Sequence, residues 1–168
     1  PFSYTPIAIV HSVEPSRGPL SGMTVATLAG SNFLNTTDLM CRFGDSTVPA
    51  LYLSSTKLSC NTPPHVEGAV EVLITTNGMD FTSAGPVFRF RSALTVTSVL
   101  PLSGPHYGGT RVSIFGSNFA NSGELACKFG PRKVVEARWI SAVQVECVSP
   151  SGDPGSVALE VSNNGKDY

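Results

Sequence analysis

The stretch from Pro101 to Gly130 repeats one that lies 86 positions earlier, and this duplication constrains the chain more than any other feature of it. Pro15, Gly18, Pro19, Gly22 and Thr24 align with Pro101, Gly104, Pro105, Gly108 and Thr110. Gly30-Ser31-Asn32-Phe33 aligns with Gly116-Ser117-Asn118-Phe119, and Cys41, Phe43 and Gly44 with Cys127, Phe129 and Gly130. A chain of 168 residues built on that period reads as two small domains, each long enough to fold alone. A domain of this size hides only about 60 to 65% of the surface its unfolded chain exposes, so a covalent staple would contribute a large share of its stability.

Four cysteines occur at matching places: Cys41 and Cys60 in the first copy, Cys127 and Cys147 in the second. Their spacing does not resemble a CxxC zinc or redox site. Pairing within each copy is preferred over the two crosswise alternatives, because duplication of one unit carries its own bridge with it. Closing such a loop contributes roughly 3 kcal/mol in the chain-entropy account, and persistent disulfides imply an oxidising compartment. Four buried free thiols in a cytosolic protein are the alternative.

With 16 glycines and 13 prolines punctuating short alternating segments, and no helical period sustained over ten residues, the chain reads as all-β. Val70, Val72 and Ile74 face one way and Glu71 and Thr75 the other; Val157, Leu159 and Val161 repeat this, with Ala158 and Glu160 outward. Leu39, Cys41 and Phe43 match Leu125, Cys127 and Phe129, with Arg42 and Lys128 on the opposite face. Thr56, Leu58 and Cys60 match Val143, Val145 and Cys147. Each cysteine therefore lies on the inward face of its strand, where it suits a bridge through the core. Tyr52 matches Trp139 at an offset of 87, so a bulge or longer turn near Pro49 or Val135 is expected to absorb one residue. Asn77-Gly78 and Asn164-Gly165 mark tight hairpin turns, with Asp80-Phe81 and Asp167-Tyr168 opening the return.

Gly85 to Phe90 reads as the closing strand of the first domain. Phe2 and Tyr4 lie 86 positions before Phe88 and Phe90, so residues 1–6 read as the closing strand of a preceding repeat, 7–92 as the first domain, and 93–168 as a second domain lacking its closing strand. The expectation is a longer array in which the missing strand comes from following sequence or from residues 1–6 of a neighbouring chain. The linker is only about Arg91-Ser92-Ala93, which suits a semi-rigid rod.

The pattern Pro-x-x-Gly-Pro-x-x-Gly-Gly-Thr, Gly-x-Asn-Phe, Cys-x-Phe-Gly, Val-x-Cys-x-x-Pro and Glu-Val-Ser-x-Asn-Gly-x-Asp-Tyr resembles the IPT/TIG domain. The second copy carries it at Pro101, Gly104-Pro105, Gly108-Gly109-Thr110, Gly116, Asn118-Phe119, Cys127, Phe129-Gly130, Cys147, Pro150 and Asn164-Gly165. The first copy departs at Met23, in place of the second glycine, and at Leu73-Ile74-Thr75. The resemblance implies two tandem immunoglobulin-like β-sandwiches. The family includes extracellular stalks and binding surfaces in plexins, the hepatocyte growth factor receptor and fibrocystin-like proteins, transcription factors of the Rel group, and modules of starch-acting enzymes. Fold alone does not choose among these.

Candidate chemistry is sparse. Gly108-Gly109-Thr110 lacks the lysine of a phosphate loop and enters a strand, so its glycines serve a turn. His11, His65 and His106 share no ligand spacing, and no nucleophile elbow or repeated carboxylate pair is present, so neither metal, cofactor nor catalysis is expected. Arg111, Lys128, Arg132, Lys133 and Arg138 make the second copy locally basic, read as a solvated face rather than a patch for an acidic glycan or partner. Tyr52 and Trp139 read as core or rim aromatics. Asn35-Thr36-Thr37 is an N-glycosylation sequon; the second copy has Asn121-Ser122-Gly123 there. A net charge of -1 gives no reason to expect nucleic acid as partner. Apolar runs are too short to span a bilayer, so membrane attachment would come only from regions outside this stretch.

The expected function is a non-enzymatic structural and adhesive repeat of an extracellular, cell-surface or filament-forming protein. Its partners would be proteins, neighbouring repeats or head-to-tail copies of itself. The alternatives are a ligand-binding receptor ectodomain, a Rel-like DNA-binding or dimerisation module, and an accessory domain of a carbohydrate-active enzyme.

Overall fold

The computed structural model describes residues 6–168, and it holds strands and turns without a helix. The chain separates into two compact units, the second beginning at Ser92. Of the expected strand at residues 1–6, all but Pro6 lies outside the described residues, and Pro6 is in no strand.

The first unit contains β1 (Ile9–Glu14), β2 (Arg17–Pro19), β3 (Val25–Ser31), β4 (Met40–Phe43), β5 (Ser46–Ser54), β6 (Lys57–Asn61), β7 (Gly68–Thr75) and β8 (Val87–Arg91). Hydrogen bonding runs in the order β1-β3-β6-β5-β4-β7-β8-β2. The long β5 belongs to both layers of the sandwich: Ser46 to Pro49 pair with β4, and Ala50 onward pairs with β6. At the crossover the Ala50 N–H still donates to Leu39 O, at 3.1 Å.

The second unit contains β9 (Thr95–Leu100), β10 (Arg111–Ser117), β11 (Ala126–Phe129), β12 (Lys133–Glu136), β13 (Arg138–Ser141), β14 (Gln144–Val148) and β15 (Leu159–Ser162). Here the counterpart of β5 is broken in two, giving separate sheets β13-β14-β10-β9 and β12-β11-β15. The break falls at buried Ala137, whose N–H donates to Leu125 O at 3.0 Å, as Ala50 does to Leu39.

The one-residue slip lies earlier than the sequence suggests. Phe43 pairs with Ser46 across the two-residue turn Gly44-Asp45, whereas Phe129 pairs with Lys133 across Gly130-Pro131-Arg132. The longer hairpin turn takes the extra residue before the strand begins, so the ladder with β4 or β11 keeps its faces and needs no bulge there.

The shared Gly-x-Asn-Phe motif has a local cause in both units. A Cβ on Gly30 would lie 2.0 Å from Ile9 O, and one on Gly116 would lie 1.8 Å from Thr95 O, so only glycine lets these strands approach. Asn32 and Asn118 take positive φ, and their side chains donate to Ile7 O and Ala93 O. Phe33 and Phe119 then plug the two cores.

The alternation holds where strands are continuous. Leu39, Cys41, Phe43, Leu58, Cys60, Val72 and Ile74 are buried, as are Leu125, Cys127, Val145, Cys147 and Val161. Thr56 and Val143 are exposed, because they stand in the turns before β6 and β14, outside the pleat. Val157 is 61% exposed, because β15 begins only at Leu159.

Candidate functional site

In each unit the side chains that matter lie in two places: a sulfur bridge through the core and a latch on the outer face of the same strand. Cys41 of β4 is bonded to Cys60 of β6, and Cys127 of β11 to Cys147 of β14, with Cα–Cα distances of 6.5 and 6.4 Å. Because β11 and β14 belong to different sheets, the second bridge ties one layer to the other. All four residues are buried, so the bridges are shielded from solvent thiols.

On the outer face the neighbouring cations stack on rings. The Arg42 guanidinium lies 4.2 Å from the centre of the Phe81 ring, and Lys128 Nζ lies 4.3 Å from that of Tyr168. Lys128 also pairs with Glu160 at 2.7 Å. Burial pushes the Tyr168 phenol above its ordinary value, Lys128 opposes this, and Glu160 adds to it.

The segment that delivers each ring is shaped by an asparagine side chain. Asn77 Oδ1 accepts from the Met79 and Asp80 N–H groups and from the Thr75 hydroxyl, while its Nδ2 donates to Asp80. Asn164 does the same with Lys166, Asp167 and Ser162. Gly78 and Gly165, not the asparagines, take positive φ. The Asn-Gly pairs thus do not make two-residue hairpins; a side-chain carbonyl closes a longer loop. That loop also covers Thr75 and Ser162, leaving these outward residues 1% and 0% exposed.

Asn35 is exposed in the loop between β3 and β4, as are Thr37 and Asp38. Thr36 Oγ1 donates to Thr76 O at 2.6 Å, tying that loop to the one around Asn77.

The basic residues of the second unit are largely partnered. Arg111 and Arg138 each approach Glu146 at 3.5 Å, and Lys133 donates to Ser151 O. The equivalent positions of the first unit carry Val25, Leu51 and Ser59, so that face of β3, β5 and β6 has no such cluster. His65 stacks on Phe90 at 4.7 Å, and its Nδ1 lies 2.8 Å from Val66 O, which makes it part of the packing. Trp139 Nε1 donates to Phe119 O, and both Trp139 and Tyr52 pack against the cores. Among the described residues no three His, Cys, Asp or Glu are placed to hold a metal ion, and no helix is long and apolar enough to cross a membrane.

Sequence reasoning located the cysteines, the sequon and both Asn-Gly pairs. It missed the two cation stacks, although the matched spacing of Arg42 with Phe81 and Lys128 with Tyr168 carried the signal. It also missed the contrast between Glu146 with its arginines and the neutral residues of the first copy.

A family model for the IPT/TIG domain matches residues 8–90 and again 94–168. Human Fibrocystin-L is 26% identical over 162 residues, covering 93% of this chain and 4% of that protein. Plexin-2 of Caenorhabditis briggsae is 33% identical over 148 residues, covering 85% of this chain and 8% of that protein. The chain thus spans less than a tenth of the length of either relative. Among solved structures, the full extracellular region of Plexin A4 superposes with a TM-score of 0.59 at 19% identity, covering 88% of this chain and 13% of that one.

Proposed function

This chain belongs to the IPT/TIG domain family, as two tandem immunoglobulin-like β-sandwiches, and from that premise we propose that it is a non-enzymatic extracellular repeat that holds distance and presents protein-binding surface. The observation that carries the reading is the bridge in each unit, which joins two strands that do not pair with each other through a buried core. A module that bears load between other domains benefits from such a bond, because the segment between the cysteines cannot extend while it is intact. The cysteines also favour an oxidising compartment, and the plexin match is to an extracellular region.

The boundaries we assign are 7–92 and 93–168, each a sandwich, with residues 1–6 belonging to a neighbouring repeat. The partners are other protein modules, including repeats of the same kind. A second reading, a ligand-binding ectodomain, is favoured by one observation. The neutral face bearing Val25, Leu51 and Ser59 lacks the charge cluster that occupies the same face of the second unit.

The test is to pull the secreted pair by its ends before and after reduction. With bridges intact, the segment from Cys41 to Cys60, a sequence separation of 19, stays folded onto itself. On reduction each unit should lengthen by about 3.3–3.6 Å per released residue and unfold at lower force. Free thiols that alkylate without reductant, or an unchanged extension on reduction, would overturn the load-bearing reading. Loss of binding to a soluble partner on Val25→Arg and Leu51→Arg, with unchanged stability, would move the conclusion to the second reading.

A further inference from the structure

We propose that Asn35 is an N-glycosylation acceptor, and that Thr37 serves that chemistry and no structural one; this rests on the extracellular reading above. The comparison of the two units separates the roles of the loop's hydroxyls. In the first, Thr36 Oγ1 donates to Thr76 O; in the second, Ser122 Oγ donates to Asn163 O at 2.9 Å from the equivalent position. The middle residue of each triplet therefore anchors its loop to the neighbouring one. The third residue differs: exposed Thr37 stands where the second unit has exposed Gly123.

Nothing in the backbone explains that difference. Gly123 is outside the left-handed region, and a Cβ built on it meets no atom within 4 Å. Either residue fits either loop, so the fold makes no demand at this position. What the threonine adds is the hydroxyl that completes Asn35-Thr36-Thr37 as an acceptor. Asn35 and Thr37 are both exposed in a segment between β3 and β4 that belongs to no strand, so a glycan there displaces no packed side chain.

The donor is an oligosaccharide carried on a polyprenyl pyrophosphate. Asn35 Nδ2 forms a bond to the anomeric carbon as the bond from that carbon to the pyrophosphate oxygen breaks. The polyprenyl pyrophosphate leaves with the electron pair, and the amide gives up one proton. The glycan would stand at the end of the first unit where this loop meets the one around Asn77.

The experiment expresses the chain behind a heterologous secretion signal in a eukaryotic cell and reads the mobility of the secreted protein before and after peptide N-glycosidase. One enzyme-sensitive glycan is expected on the parent chain. It should vanish in Asn35→Gln and Thr37→Ala, persist in Thr37→Ser, and persist in Thr36→Ala, which removes the anchoring bond. Gly123→Thr should add a second glycan, at Asn121. A secreted parent chain without glycan, a glycan that survives Asn35→Gln, or a secreted Gly123→Thr protein with only one glycan would each overturn the proposal. The added signal delivers the chain to the lumen whatever its native compartment, so a failure here counts against the site alone. The thiol and force measurements decide the extracellular reading separately.

Discussion

Phe43 and Phe129 hold the same place in the same strand of two copies of one fold, yet Phe43 is fully buried and Phe129 only half so. In the first unit β8 brings Phe88 and Phe90 against Phe43, with ring centres 5.6 and 6.4 Å away, and all three are sealed. Among the described strands of the second unit, β15, the counterpart of β7, pairs with β11 alone. Gly68 to Glu71 of β7 pair with β8, while residues 155–158 form no strand. The half of β7 that pairs with β8 is the half that β15 lacks. In the first unit β8, held between β7 and β2, completes both a ladder and an aromatic cluster.

The sharpest way to break this comparison is a pair of truncations. Phe43→Ala should destabilise the first unit by about 3–5 kcal/mol, the range for removing a sealed phenylalanine. Phe129→Ala should cost the second unit about 1–2 kcal/mol, because part of that ring already meets water. Trp139 is the sole tryptophan, so its fluorescence reports the second unit during denaturant unfolding, and hydrogen exchange reports the first. Equal losses would mean that β8 does not set the difference.

A smaller effect tests the other departure between the copies. Met23 sits at φ 65° with its side chain 72% exposed, where the second copy has Gly109 at φ 83°. Both N–H groups make the same bond, to Thr62 O and Ser149 O at 2.8 Å. A side chain in that region costs about 1–2 kcal/mol, partly offset by the about 0.4–1 kcal/mol of unfolded-state entropy that glycine brings. Met23→Gly should therefore stabilise the first unit by roughly 0.5–1 kcal/mol, and Gly109→Met should destabilise the second by a similar amount. Thermal unfolding of each variant decides it, and a destabilised Met23→Gly protein would show that the exposed side chain makes a contact the backbone argument omits.

What could be read from the sequence follows from how local its cause is. The cysteines and the Gly-x-Asn-Phe motif were legible because each acts within a strand or at one close approach, and duplication displayed the pattern twice. The slip was harder: alignment of Tyr52 with Trp139 revealed that a residue was added, but a repeat comparison cannot distinguish a bulge in β5 from a longer Gly130-Pro131-Arg132 turn. Val157 was misjudged because alternation predicts which face a residue takes once paired and is silent on whether a partner strand exists. The latches were missed for a different reason, although duplication repeats their residues. Arg42 and Phe81 are far apart in sequence, and only the Asn77 carbonyl, closing a loop between them, brings ring under cation.

Those latches supply the finest test, since their rings differ by one hydroxyl. Phe81 cannot ionise; Tyr168 can, and its phenol holds its proton to higher pH than an unfolded tyrosine, first because of burial and then because of Glu160, with Lys128 acting against both. Above the ordinary tyrosine value near pH 10 the folded second unit therefore binds more protons than its unfolded chain, so stability falls as pH rises. The contribution is fully present below that value and declines as pH climbs through the unfolded and then the folded titration. The first unit has no such term at Phe81. Unfolding each unit between about pH 9 and pH 11 should give a steeper loss for the second, and Tyr168→Phe, which keeps a ring over Lys128, should flatten it. If the slope is unchanged in Tyr168→Phe, the alkaline sensitivity belongs to another group and the two latches are equivalent in everything but their cation.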